Sequence, residues 1–137
     1  MRLVVLTEIV EDANLRKQWN GLVRRLDDPQ VFYTYEWALA VQRAYSTALH
    51  PLVFLAYDDN ESLCGLAALA LDADAVHVTF LCATTGDYCD FLAQTRYKLA
   101  FVSVVLAHLR CRGINEITLT NLPADSTTVP AIQRSST

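Results

Sequence analysis

At 137 residues the chain is long enough for one domain with a real core and too short for two ordinary ones. Hydrophobic residues make up 53% and charged residues 19%, which excludes disorder over most of the length. The net charge of −4 is spread, with basic residues scattered as Arg16 and Lys17, Arg24 and Arg25, Arg110 and Arg112; no basic stripe builds up, and nucleic acid is excluded as a partner class.

In chain order, Arg2 to Val10 is β-branched and apolar and predicts a first strand. Asp12 or Asn14 can cap the helix that follows, in which Leu15, Trp19, Leu22, Val23 and Leu26 recur at helical spacing. Asp27-Asp28-Pro29 stops it. An aromatic cluster, Val31 to Trp37, leads into a second helix capped by Thr34 and running to about Ser46, broken at His50-Pro51. The apolar runs beginning at Leu52 and Ser62 flank the turn formers Asp58 to Glu61 and predict a β-hairpin. A further strand spans Val76 to Ala83, and a loop follows from Thr84 to Phe91. A largely apolar helix from about Arg96 to Arg112 is expected to end on Gly113, which can take positive φ. Ile114 to Leu122 predicts a last strand, and residues 127–137 read as a polar tail, truncated or disordered. The order β-α-α-β-β-β-α-β predicts an α/β (α+β) domain over residues 1–126: a mixed, mostly antiparallel sheet with helices on its faces.

The longest apolar stretch, Leu99 to Leu109, is half the length a bilayer requires, and the first residues lack a signal peptide's apolar core and cleavage site. The expected location is the cytoplasm. Cys64, Cys82, Cys89 and Cys111 form no C-x-x-C pair and have no histidine at zinc spacing. Three of the four lie within apolar runs and read as buried thiols, and neither a disulfide nor a metal site is expected.

Several segments resemble one enzyme group. Val31-Phe32-Tyr33-Thr34-Tyr35-Glu36-Trp37, the strand Gly65 to Leu71, Phe80-Leu81 with Gly86-Asp87-Tyr88-Cys89-Asp90-Phe91, and Leu119 to Pro123 with Asp125-Ser126 resemble, in order, segments of the CelD/BcsL-like acetyltransferases. These are GNAT-superfamily enzymes, related to FemAB-type transferases and associated with exopolysaccharide biosynthesis. The resemblance covers about residues 20 to 126 and implies a GNAT-like fold. It implies transfer of an acyl group from acyl-CoA (acetyl-CoA) to an amine or hydroxyl, on a saccharide or cell-envelope precursor. The family's proteins carry a second GNAT-like unit beyond the matching region. The turn that cradles the CoA pyrophosphate has the form Q/R-x-x-G-x-G/A, because glycines let backbone N–H groups close on phosphate. The corresponding stretch here, Thr84 to Thr95, holds a single glycine, Gly86. The cofactor is therefore expected on the missing C-terminal unit, and this chain is expected to shape the acceptor pocket. A non-catalytic module that binds a ligand or partner is the alternative.

Asp87 and Asp90 are the candidate catalytic pair, able to take a proton from the acceptor or to hold a polar substrate; otherwise Asp90 caps a turn while Tyr88 and Phe91 anchor the loop. Tyr35, Glu36, Trp37, Tyr88 and Ser126 are the candidate substrate-binding residues. Against this, Phe32 and Trp37 can be core anchors and Ser126 a solvated turn residue. His50, His77 and His108 have no Ser or Cys partner at recognisable spacing and are expected to be structural. An incomplete sheet would leave the last strand as an exposed edge, open to pairing with a second copy.

Overall fold

The computed structural model describes residues 1–135. It holds six strands, β1 (Arg2–Leu6), β2 (His50–Tyr57), β3 (Leu63–Leu71), β4 (His77–Phe80), β5 (Leu92–Ala93) and β6 (Glu116–Thr118). The helices are α1 (Ala13–Arg24), α2 (Tyr35–Ala44), α3 (Thr95–Cys111) and α4 (Thr128–Ser135), with a single 3₁₀ turn at Val31–Tyr33. Strand order across the sheet is β1-β2-β3-β4-β6, and β5 pairs with the start of β3. Every pairing is antiparallel except β4 with β6, which α3 joins as a crossover. The expected mixed α/β sheet, mostly antiparallel with helices on its faces, is what forms.

The helices start where short polar side chains satisfy free amides. Asp12 accepts from Leu15 N at the head of α1, and Thr34 accepts from Trp37 N at the head of α2. Neighbouring residues of β3 face opposite sides of the sheet, so Gly65 meets α3 while Leu66 lies with Trp19 and Ala38 of α1 and α2. A Cβ on Gly65 would sit 2.5 Å from Phe101 Cδ1, so glycine is what lets α3 lie this close to the strand. Gly113 takes φ +87° and ends α3, as expected.

Several boundaries differ from the sequence expectation, each for a local reason. β1 stops at Leu6 because Ile9 gives its N–H and C=O to the Gln42 side chain instead of a strand (2.6 and 2.9 Å). His50-Pro51 does not break the chain but opens β2. Pro51 pairs with Ala70 of β3 and lies beyond the end of β1, whose last partner on β2 is Val53, so its missing N–H interrupts no β1 bond. The last strand shrinks to Glu116–Thr118 because Asn121, at φ +64°, turns away and donates its amide to Ala83 O and Gly86 O. The sequence predicts a truncated or disordered polar tail over residues 127–137. Thr128–Ser135 instead form α4, which packs on α3 and bonds Ser135 Oγ to Ser103 Oγ at 2.8 Å; Ser136 and Thr137 lie outside the described residues. No helix among the described residues is long and apolar enough to cross a membrane.

Candidate functional site

The end of α1, the β5–α3 junction and the segment before α4 enclose a cleft of about 390 Å³. Local geometry explains its deepest polar group. Pairing of β5 with β3 fixes the chain just after Asp90, and Lys98 lies on the first turn of α3. A helical side chain leans toward its own N-terminus, so Lys98 reaches back over the residues that precede the helix. Its ammonium donates to Phe91 O and stands 3.7 Å from Asp90 Oδ1, with the lysine side chain 8% exposed.

Asp90 Oδ1 is crowded with donors. It accepts from Phe91 N (2.9 Å), Ser126 Oγ (2.9 Å) and Thr128 Oγ1, in addition to its pairing with Lys98. Ser126 Oγ in turn accepts from Thr128 N at 3.1 Å, at the entry to α4. Burial lowers the Lys98 pKa and the Asp90 charge opposes that shift. Burial raises Tyr33, with Asp90 adding to the effect, and pushes the Cys89 thiol up to about 11 for the same two reasons. Around the mouth stand Arg25, Arg96, Asp27 and Asp125; Arg25 is tied to Leu63 O at 2.9 Å. A buried ion pair supported by three further donors holds a loop and a helix start in place.

Of the residues the sequence singles out, the cleft gathers Asp90 and Ser126. Asp87 and Tyr88 are exposed on the loop outside it. Tyr35 is buried, its hydroxyl donating to Val10 O and accepting from Asp12 N. Glu36 is exposed and held by Asn20 at 2.7 Å, a bond that lowers its pKa. Trp37 is half-buried with its ring edge-on to Phe32 (4.9 Å) and its Nε1 3.4 Å from Thr85 Oγ1. Tyr35 and Trp37 therefore act as anchors of α2. Sequence reasoning missed Lys98 and Thr128. The signal for Lys98 was present: it falls at the helical spacing of Phe101, Val102 and Val105, a charge on the buried face of an apolar helix.

The start of α3 does not build a glycine-rich pyrophosphate turn. The residue before α3 is Gln94, which makes no side-chain cap bond, and no glycine opens the backbone there. Gly86 is spent on a turn, donating its N–H to Cys82 O and packed against Phe32. Among the described residues no group of His, Cys, Asp and Glu could hold a metal ion. Compared with protein-family models, curated proteins and solved structures, the chain matches none.

Proposed function

We propose that the chain is the acceptor-binding unit of a GNAT-type acyltransferase, which works with a second unit that holds acyl-CoA. One observation carries the reading: an antiparallel run, β1 to β4, ends in a helix crossover to a parallel neighbour, β6, and a polar cleft opens at the start of that helix. The acceptor is an amine or hydroxyl of a saccharide or cell-envelope precursor, held at the mouth by Ser126, Asp125 and Arg96. Asp90 positions Ser126, while Asp87, on the loop outside the cleft, does not line the place where the acceptor is held. The location consistent with a CoA-dependent enzyme is the cytoplasm, and the free side of β6 offers an edge for a second copy.

The test is calorimetric titration with acetyl-CoA and, separately, with amino sugars and neutral saccharides. Binding of a saccharide, weakened in Asp125→Asn and Arg96→Ala, with silence toward acetyl-CoA, supports the reading. Strong acetyl-CoA binding by this chain overturns the division of labour. Silence toward every saccharide favours a second reading, a non-catalytic GNAT-like module that binds another ligand or a partner. The four donors already gathered on Asp90 Oδ1 speak for that alternative.

A further inference from the structure

The β3–β4 turn and the β4–β6 pairing assemble a second group of polar residues, none of which lines the cleft. Register aligns His77 with Glu116 and Thr79 with Thr118, so His77 and Thr118 share one face of neighbouring strands. His77 Nε2 lies 2.7 Å from Thr118 Oγ1. On its other side, His77 Nδ1 faces Asp72 Oδ2 at 3.6 Å. The turn that places this carboxylate is closed by Asp72 N to His77 O (3.1 Å) and Ala75 N to Asp72 O (3.1 Å), with Ala75 at φ +58°. Asp72 Oδ1 is the one buried side-chain oxygen without a hydrogen-bond partner among the described residues.

An acid beside Nδ1 favours the tautomer that carries its proton there, which leaves Nε2 free to accept from the threonine hydroxyl. This is the order of parts that activates a hydroxyl nucleophile: hydroxyl, imidazole base, orienting carboxylate. The imidazole is 28% exposed and Thr118 is half-buried on the edge strand, so a reagent can approach. The cleft holds hydroxyls too, but Ser126 and Thr128 give their protons to a carboxylate already shared among several donors.

We propose that Asp72, His77 and Thr118 form a relay that makes Thr118 Oγ1 a site of covalent acylation by small activated acyl esters. Thr118 Oγ1 attacks the acyl carbon, a new ester bond forms, and the bond to the departing alkoxide or phenolate breaks. The hydroxyl proton passes to His77 Nε2 and then to the leaving group. Water later cleaves the acyl-threonine and regenerates the hydroxyl. His77 is the base and Asp72 a positioning residue.

The probe is p-nitrophenyl acetate on the full chain, followed by release of p-nitrophenol and by mass spectrometry of the acetylated peptide. One acetyl group is expected on Thr118. Thr118→Ser keeps the label and Thr118→Val removes it. His77→Gln slows acylation by about 100-fold or more. Asp72→Asn slows it and Asp72→Glu restores it, a rescue that a merely structural carboxylate would not produce. Circular dichroism confirms that each variant is folded. Acetylation confined to lysines, no acetylation, or a Thr118 label indifferent to His77→Gln overturns the proposal.

Discussion

Two places in this domain set an aspartate beside a basic side chain and a hydroxyl, and they differ in closure. At the cleft, Asp90 is 12% exposed, faces Lys98, and receives two hydroxyls and a backbone amide. At the sheet edge, Asp72 is 37% exposed, faces His77 at 3.6 Å, and keeps one oxygen without a partner. The same residue classes thus serve opposite ends. Where four donors converge on one carboxylate oxygen, the cluster fixes shape; where a buried oxygen is left over and the base is an imidazole, a proton has somewhere to go.

The contrast breaks most sharply at Asp90. Asp90→Ala strands the buried Lys98 charge and is expected to cost about 3–5 kcal/mol in urea unfolding. Lys98→Met leaves Asp90 its three other donors and should cost less, about 1.5–3 kcal/mol. Equal losses would mean the ion pair, and not the carboxylate hub, holds the loop.

Alkaline titration sharpens the comparison next. Burial raises Cys82 from 9.0 to about 12 and Cys89 from 9.0 to about 11, so the unfolded chain loses those protons first. Stability that is full below pH 9 is then lost as pH climbs through 11 and 12. Lys98 works the other way. Its folded pKa lies below 10.5, so between the two values the unfolded chain holds more protons and stability rises with pH. The alkaline loss, followed by denaturation at stepped pH, should be steeper in Lys98→Met than in wild type. Parallel curves would remove Lys98 from the account.

Single hydroxyls rank last. Thr128→Val, at a fully buried position, gives up one bond to Asp90 and is expected to lower stability by about 1 kcal/mol. Thr118→Val should cost about 0.5 kcal/mol, because the partly exposed His77 imidazole can turn to water when the hydroxyl is removed. A larger cost at Thr118 than at Thr128, measured by thermal or urea unfolding, would invert the distinction between a shape-holding cluster and a reactive one.

Local signals carried most of the fold. Asp12 and Thr34 cap the helices the sequence marks, and Asp58 to Glu61 turn the hairpin the pattern predicts. The readings that failed depend on distant partners. Nothing near Ile9 announces that Gln42 will take its backbone groups, and nothing in Thr128–Ser135 announces that α3 offers a surface to fold against. The candidate site was legible only in part for the same reason. Asp90 and Ser126 are 36 residues apart, and Lys98 enters through a helix turn. His77 and Thr118, 41 residues apart, meet only through a parallel strand register that periodicity cannot fix.

The bond between Asp90 and Thr128 joins residues 38 apart and encloses α3 and β6 between its ends. Closing a flexible segment of that length costs about 3 kcal/mol beyond a constant, before any contact it permits is made. The hairpin of β2 and β3 has no such toll and can form early, while α4 must wait for α3 to be seated. In the folded protein the reverse holds: α4 is the piece that can lift away first, and its amides should exchange with solvent sooner than those of β3. The clasp that shapes the cleft is then also its timer, setting how often the floor beneath Ser126 is briefly open.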